Sequence, residues 1–152
     1  MSIPILSTPS QLVSLSMRSH KNTSRITMKL PEALLTTEHI PNIHSFLLHN
    51  LPSIFKSTCY NPENLRFSDE VKKTEIAHLF EHMVLEYLVL TNTHVRNRFY
   101  EGVTSWDWRK EEFGIFHIRL NVGKKDTFLL AVALDKSCKL LSRLLEQQEL
   151  QN

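Results

Sequence analysis

With 152 residues, 18 basic and 16 acidic side chains and a formal net charge of +2, the chain is most simply one domain, large enough to bury a core without disulfides or an obligatory metal. Its lysines and arginines are scattered rather than clustered, so no nucleic acid is expected as a partner, and no apolar run reaches the length of a membrane span. Cys59 and Cys138 lie far apart with no Cys-x-x-Cys pairing, and the opening residues lack a secretory signal, which together fit reduced thiols in a cytoplasmic protein.

Residues 1–24 are rich in Ser and Thr and contain no acid to offset Arg18 and Lys21, which reads as a flexible basic arm preceding a single domain at 25–152. Ile26, Met28 and Leu30 alternate with Arg25, Thr27 and Lys29, the pattern of a strand with one buried face that ends at Pro31. From Thr37, apolar residues recur at three and four through Ile40, Ile43, Phe46, Leu47, Leu51 and Ile54. This predicts an amphipathic helix with Thr36 or Thr37 as its cap and Pro41 in its first turn. His39, His44 and His49 fall five apart along it and share no face, so they are not a metal site by spacing. Cys59 to Asn64 is turn chemistry, and Ser68 with Asp69 opens a helix expected to run to about Leu90. Val103–Trp108 and Phe113–Val122 read as a hairpin with Phe116, Ile118 and Leu120 on one side of its second strand and Ile115 and His117 on the other. Trp106 and Trp108 alternate with Asp107 and should face one way. Asp126 to about Gln148 is a long amphipathic helix, with Cys138 as a filler like Cys59. The order predicts an α+β fold, a small, mostly antiparallel sheet with helices packed on one face.

Chemistry concentrates between Thr74 and Leu88. On a helix His78 and His82 are one turn apart, roughly 6 Å along the axis, so both imidazoles can reach one ion, and Glu81 falls on the same side. His-x-x-Glu-His is the inverted form of the zinc-hydrolase motif, in which the histidines hold the metal and the glutamate handles a proton of water. The residues alone fit equally well a hydrogen-bonded Glu–His cluster on a partly exposed helix. Glu86 lies a further turn on, about 9 Å from the midpoint of the histidines, too far to coordinate and better suited to orienting one imidazole.

The segment from Arg25 to about Leu145 resembles the N-terminal domain of cyanophycin synthetases. The resemblance rests on Leu51-Pro52-Ser53-Ile54, Cys59, His78 through Glu86, and Phe113-Gly114-Ile115-Phe116-His117-Ile118, in that order. The chain has no Gly-rich phosphate loop and is too short for the ATP-dependent ligase domains, so polymer synthesis is not expected of this polypeptide by itself. The stretch His78 to Met83, with the Thr104-Ser105 strand, also resembles the first half of pitrilysin- and insulinase-type zinc peptidases. That resemblance implies Zn²⁺ on His78 and His82 and Glu81 as the catalytic general base. In those peptidases the third ligand is a glutamate on a later helix with no counterpart here, and Glu101, Asp107, Glu112, His117 and Cys138 all stay open as substitutes. The expected function is zinc-dependent hydrolysis of a peptide or amide bond, with an amide polymer such as an arginine-bearing polyaspartate as substrate. The alternative is a non-catalytic docking or scaffolding domain that binds a protein partner or polymer.

Overall fold

A computed structural model describes residues 3–4, 13–92 and 98–151. The chain is α+β, as expected. Five strands, β1 (Ile3–Pro4), β2 (Ser14–Ser19), β3 (Ser24–Lys29), β4 (Gly102–Ser105) and β5 (Ile115–Leu120), form one sheet in the order β1-β2-β3-β5-β4. Every neighbouring pair is antiparallel. The two-residue period sends Leu15 and Met17, Ile26 and Met28, and Phe116, Ile118 and Leu120 to one buried face. Cross-strand register aligns them in rows, Leu15 opposite Met28 opposite Phe116 and Met17 opposite Ile26 opposite Ile118. The arm expected over 1–24 is therefore partly structural. Val13-Ser-Leu-Ser-Met is an alternating pattern, and its apolar members complete the core beside β3. The rest of that arm, residues 1–2 and 5–12, lies outside the described residues, as do residues 93–97, between the predicted helix and the hairpin.

Helices α1 (Ile43–Asn50), α2 (Phe67–Glu70), α3 (Ile76–Thr91) and α4 (Thr127–Gln151) join this sheet. Helix α3 packs against β4, β5 and α4 and is buried nearly all round, with Ile76, Ala77, Leu79, Phe80, Met83, Val84 and Leu88 in the core. Such a helix is the centre of its domain, and any polar group on it is either paired or in use. No helix among the described residues is long and apolar enough to cross a membrane.

Two predicted helices are shorter than their periodicity suggests. The first begins at Ile43 and is preceded by a separate 3-10 turn at Thr37–His39. Pro41 disfavours helical backbone at Ile40, which is extended, and Asn42 then takes a left-handed conformation, φ 61°. The second is not continuous from Ser68 to Leu90, because Thr37 takes the Val71 and Thr74 carbonyls and the Thr74 amide, while the amides of Val71, Lys72 and Lys73 turn back to α2. Thr37 Oγ1 donates to the Val71 carbonyl and accepts from the Thr74 amide, while the Thr37 amide donates to the Thr74 carbonyl at 2.8 Å. This detour sets Thr74 immediately before α3, within reach of His78.

The hairpin is present, but β4 stops at Ser105. Trp106 and Trp108 lie in the connection and still share a side, since both rings contact Phe116, at centroid distances of 5.2 and 5.5 Å. Trp108 donates its indole N–H to the Ile115 carbonyl at 3.0 Å, whereas Trp106 remains 42% exposed. Gly114, at φ +90°, turns the chain into β5 where a Cβ would stand 2.2 Å from the Leu30 carbonyl oxygen.

Candidate metal centre

His78 and His82 lie one turn apart on α3, and their ring centroids are 4.9 Å apart at 71°. Phe67 of α2 fixes both, stacking on His82 at 3.9 Å and presenting an edge contact to His78 at 6.3 Å. The interruption between α2 and α3 is what allows Phe67 to face α3.

Cys59 joins them. A ligand atom from each of Cys59, His78 and His82 lies within 4.8 Å of the others, and Cys59 Sγ is 3.8 Å from His78 Nε2. Sulfur and nitrogen sharing one tetrahedral zinc stand about 3.5 Å apart, so the group is close to a closed coordination geometry. Asn61 holds the Cys59 loop: its side-chain amide contacts Cys59 Sγ at 3.3 Å and the Leu65 carbonyl at 2.9 Å, and its Oδ1 accepts from the Leu65 amide. Cys59 is half-buried and packed against the core, as its sequence context suggests, and at the same time lies within reach of both histidines.

The hydrogen bonds around the imidazoles decide their tautomers. Ser57 Oγ donates its single proton to the Ile54 carbonyl at 2.6 Å, so at 3.0 Å from His82 Nδ1 it must accept, and His82 carries its proton on Nδ1. Thr74 Oγ1 lies 2.8 Å from His78 Nδ1 and 3.2 Å from a carboxylate oxygen of each of Glu70 and Glu75, so when it gives its proton to a carboxylate it accepts from His78 Nδ1. Both Nε2 lone pairs are then left for a ligand, the arrangement a metal-binding histidine requires. Thr74 and Ser57 thus supply the orienting bonds that sequence reasoning assigns to Glu86. Glu86 is buried and lines the same cleft, with no hydrogen bond to either histidine among the described residues.

The protonation states agree. Burial, reinforced by the neighbouring His78, lowers His82 to about 3, and burial lowers His78 against the opposing pull of Glu75. Both rings are neutral at pH 7. Burial raises the Cys59 thiol; the Asn61 contact works the other way, and the charges of Glu70 and Glu81 add to the rise. Glu81 is buried and accepts from Thr104 Oγ1 of β4 at 2.8 Å, yet desolvation outweighs that bond and pushes its carboxyl up to about 7. Gly102 permits this approach, for a Cβ there would meet Glu81 Cγ at 3.0 Å and Leu120 Cδ2 at 2.9 Å.

His78, Glu81 and His82 line an open cleft of about 870 Å³, together with Ser57, Thr58, Tyr60 and Asn61 on either side of Cys59. Of the other residues held open as ligands by sequence, Glu101 lines this cleft, but the rest are engaged elsewhere. Asp107 pairs with Arg109, Glu112 with Lys29, and His117 with Glu111, while Cys138 is buried on α4 among core residues. Sequence reasoning did not single out Cys59 as a candidate ligand because it lies nineteen residues before His78 in an irregular loop. Its order ahead of the motif was the one available signal; Thr74 stands four residues before His78, at helical spacing, and nothing marked Ser57.

Two measurements check this arrangement. Ser57→Ala removes the acceptor of His82 Nδ1 and should weaken zinc binding about 10- to 100-fold without loss of fold, read by competition with a chromogenic chelator. Because the imidazoles are already neutral and the thiol is protonated, zinc binding should expel one proton, from Cys59. Lower proton concentration then favours binding, and affinity should rise about tenfold per pH unit from 7 to 8. A flat profile would mean that no thiol is deprotonated on binding.

Comparison with known proteins agrees with this region of the chain. The cyanophycin synthase-like N-terminal domain family matches residues 25–134, a span that contains Cys59, His78, Glu81 and His82. No curated protein matches the chain. A likeness to pitrilysin- and insulinase-type peptidases is not part of what this match shows.

Proposed function

The chain belongs to the cyanophycin synthase-like N-terminal domain family, and from that premise and the geometry of the cleft we propose that it is a small zinc-dependent hydrolase of a peptide or amide bond. The observation that carries this reading is the meeting of Cys59, His78 and His82 beside an open cleft lined by both histidines and Glu81. One thiolate and two neutral imidazoles form a donor set suited to zinc, with a fourth position open to the cleft. Bound there, zinc would supply Lewis acidity, polarising a carbonyl and making water a better nucleophile near neutral pH.

The remaining work belongs to the protein. Glu81 takes a proton from the attacking water and returns it to the leaving amine, a task suited to a carboxyl whose pKa lies near the working pH. Thr104 holds the carboxylate in place through Oε1. Trp106, Phe99 and Val103 give the cleft an apolar rim along which a chain substrate can lie. Glu63, Asp69, Glu70, Glu75, Glu86 and Glu101 outnumber Lys56, Lys73 and Arg98 around it, and Arg98 is itself neutralised by Asp126 at 2.9 Å. The cleft therefore favours a substrate with cationic side chains, such as an arginine-bearing amide polymer.

The test is hydrolysis by the zinc-loaded chain of paired peptide-amides that differ only in bearing arginine or a neutral isostere. Turnover of both, with kcat/KM at least about tenfold higher for the arginine substrate, is expected. A zinc-free protein that cleaves neither but binds the cationic polymer would instead establish the docking or scaffolding role.

A further inference from the structure

The face of the sheet turned away from the helices carries a feature that the cleft does not use. Arg18 on β2 stands directly opposite Arg25 on β3, and Arg25 directly opposite Arg119 on β5. Three exposed arginines thus occupy one level of the pleat across three adjacent strands. Like charges directly opposite one another destabilise a sheet, so strand pairing alone gives no reason for this row. Neighbouring positions on the same face are balanced. His117 meets Glu111 at 2.8 Å, and Lys29 meets Glu112 at 2.6 Å. The arginine row has no such carboxylate among the described residues. It borders a hollow of about 480 Å³, to which Ser16, Thr23 and Thr27 contribute hydroxyls and no acidic residue contributes anything.

We propose that this hollow is an anion site, in which Arg18, Arg25 and Arg119 together bind a short chain of linked phosphoryl groups. Strands lie about 4.8 Å apart, so the row spans about 10 Å, and one orthophosphate would meet all three forks only if the long side chains leaned together. Linked phosphoryl groups present oxygens along such a length, and guanidinium forks match them in pairs. The hydroxyls add donors between the forks. Inorganic polyphosphate and the tail of a nucleoside triphosphate share this chemistry. The proposal is independent of the hydrolytic reading, since it uses the opposite face of the sheet.

The experiment is calorimetric titration of the zinc-loaded chain at low ionic strength with tripolyphosphate, ATP and orthophosphate in turn. Tripolyphosphate should bind, weaken with added salt and exceed orthophosphate. Arg25→Gln and Arg119→Gln should each weaken it about tenfold or more while leaving zinc content and circular dichroism unchanged. ATP equal to tripolyphosphate would show that the phosphoryl chain alone is read, and weaker ATP would assign the free polyanion; both support the site. Absence of binding at millimolar tripolyphosphate would overturn the proposal. So would unchanged affinity in both variants, or a single-stranded oligonucleotide that binds the same face far more tightly.

Discussion

Glu81→Gln is expected to leave zinc bound at wild-type stoichiometry and to lower amide hydrolysis by about 100- to 10,000-fold, the usual contribution of a positioned acid–base group. Glutamine keeps the size of the side chain and an oxygen that can accept from Thr104, so β4 and α3 should stay as they are. What disappears is the ability to hold a proton in transit. Glu81 is suited to that because burial outweighs the Thr104 bond and carries its carboxyl up to about 7, where proton uptake and release are both inexpensive. Metal content and single-turnover hydrolysis measured on the same preparation separate the possibilities. Zinc retained with wild-type turnover would remove Glu81 from the chemistry, and zinc lost would make it a structural support.

Cys59→Ala is expected to abolish stoichiometric zinc, weakening affinity by more than the roughly 10- to 100-fold typical of losing an outer hydrogen bond. The fold should survive, because Cys59 is only partly buried and the loop around it is held by the Asn61–Leu65 bonds. Cys138→Ala is the matched control. That thiol is buried on α4, and burial with the nearby Asp135 charge pushes it up to about 12, so it is inert toward metal and its loss should cost stability alone. Elemental analysis of both variants, purified without chelator, reads the difference. Zinc retained in Cys59→Ala would return the third position to another residue, with Glu101 of the same cleft the first to examine.

Much of the scaffold was legible because local pattern and tertiary environment agree there. Alternation placed Phe116, Ile118 and Leu120 inward, and the apolar stretch around His78 and His82 is helical as the motif requires. Local reading failed where distant groups intervened. The Ser-rich composition of residues 1–24 outweighed the alternation of Val13, Leu15 and Met17, whose burial depends on pairing with β3. The helix expected from Ser68 to Leu90 is broken because Thr37, far earlier in the chain, captures the backbone of Val71 and Thr74.

The site divides in the same way. His78, Glu81 and His82 share a helix, and their spacing alone brings them to one region. Cys59, Ser57 and Phe67 come from a loop and a separate short helix, and no periodicity links them to α3, whereas Thr74 stands four residues before His78. Their convergence supplies the third candidate ligand, gives each imidazole Nδ1 a hydroxyl partner and fixes the rings.

X-ray absorption at the zinc edge of the freshly purified chain tests the central claim most directly. One zinc per chain is predicted, with one sulfur at about 2.3 Å and two imidazole nitrogens at about 2.0 Å. A chain without stoichiometric metal, or a zinc shell of nitrogen and oxygen with no sulfur, would contradict the assignment of Cys59, His78 and His82 as its ligands.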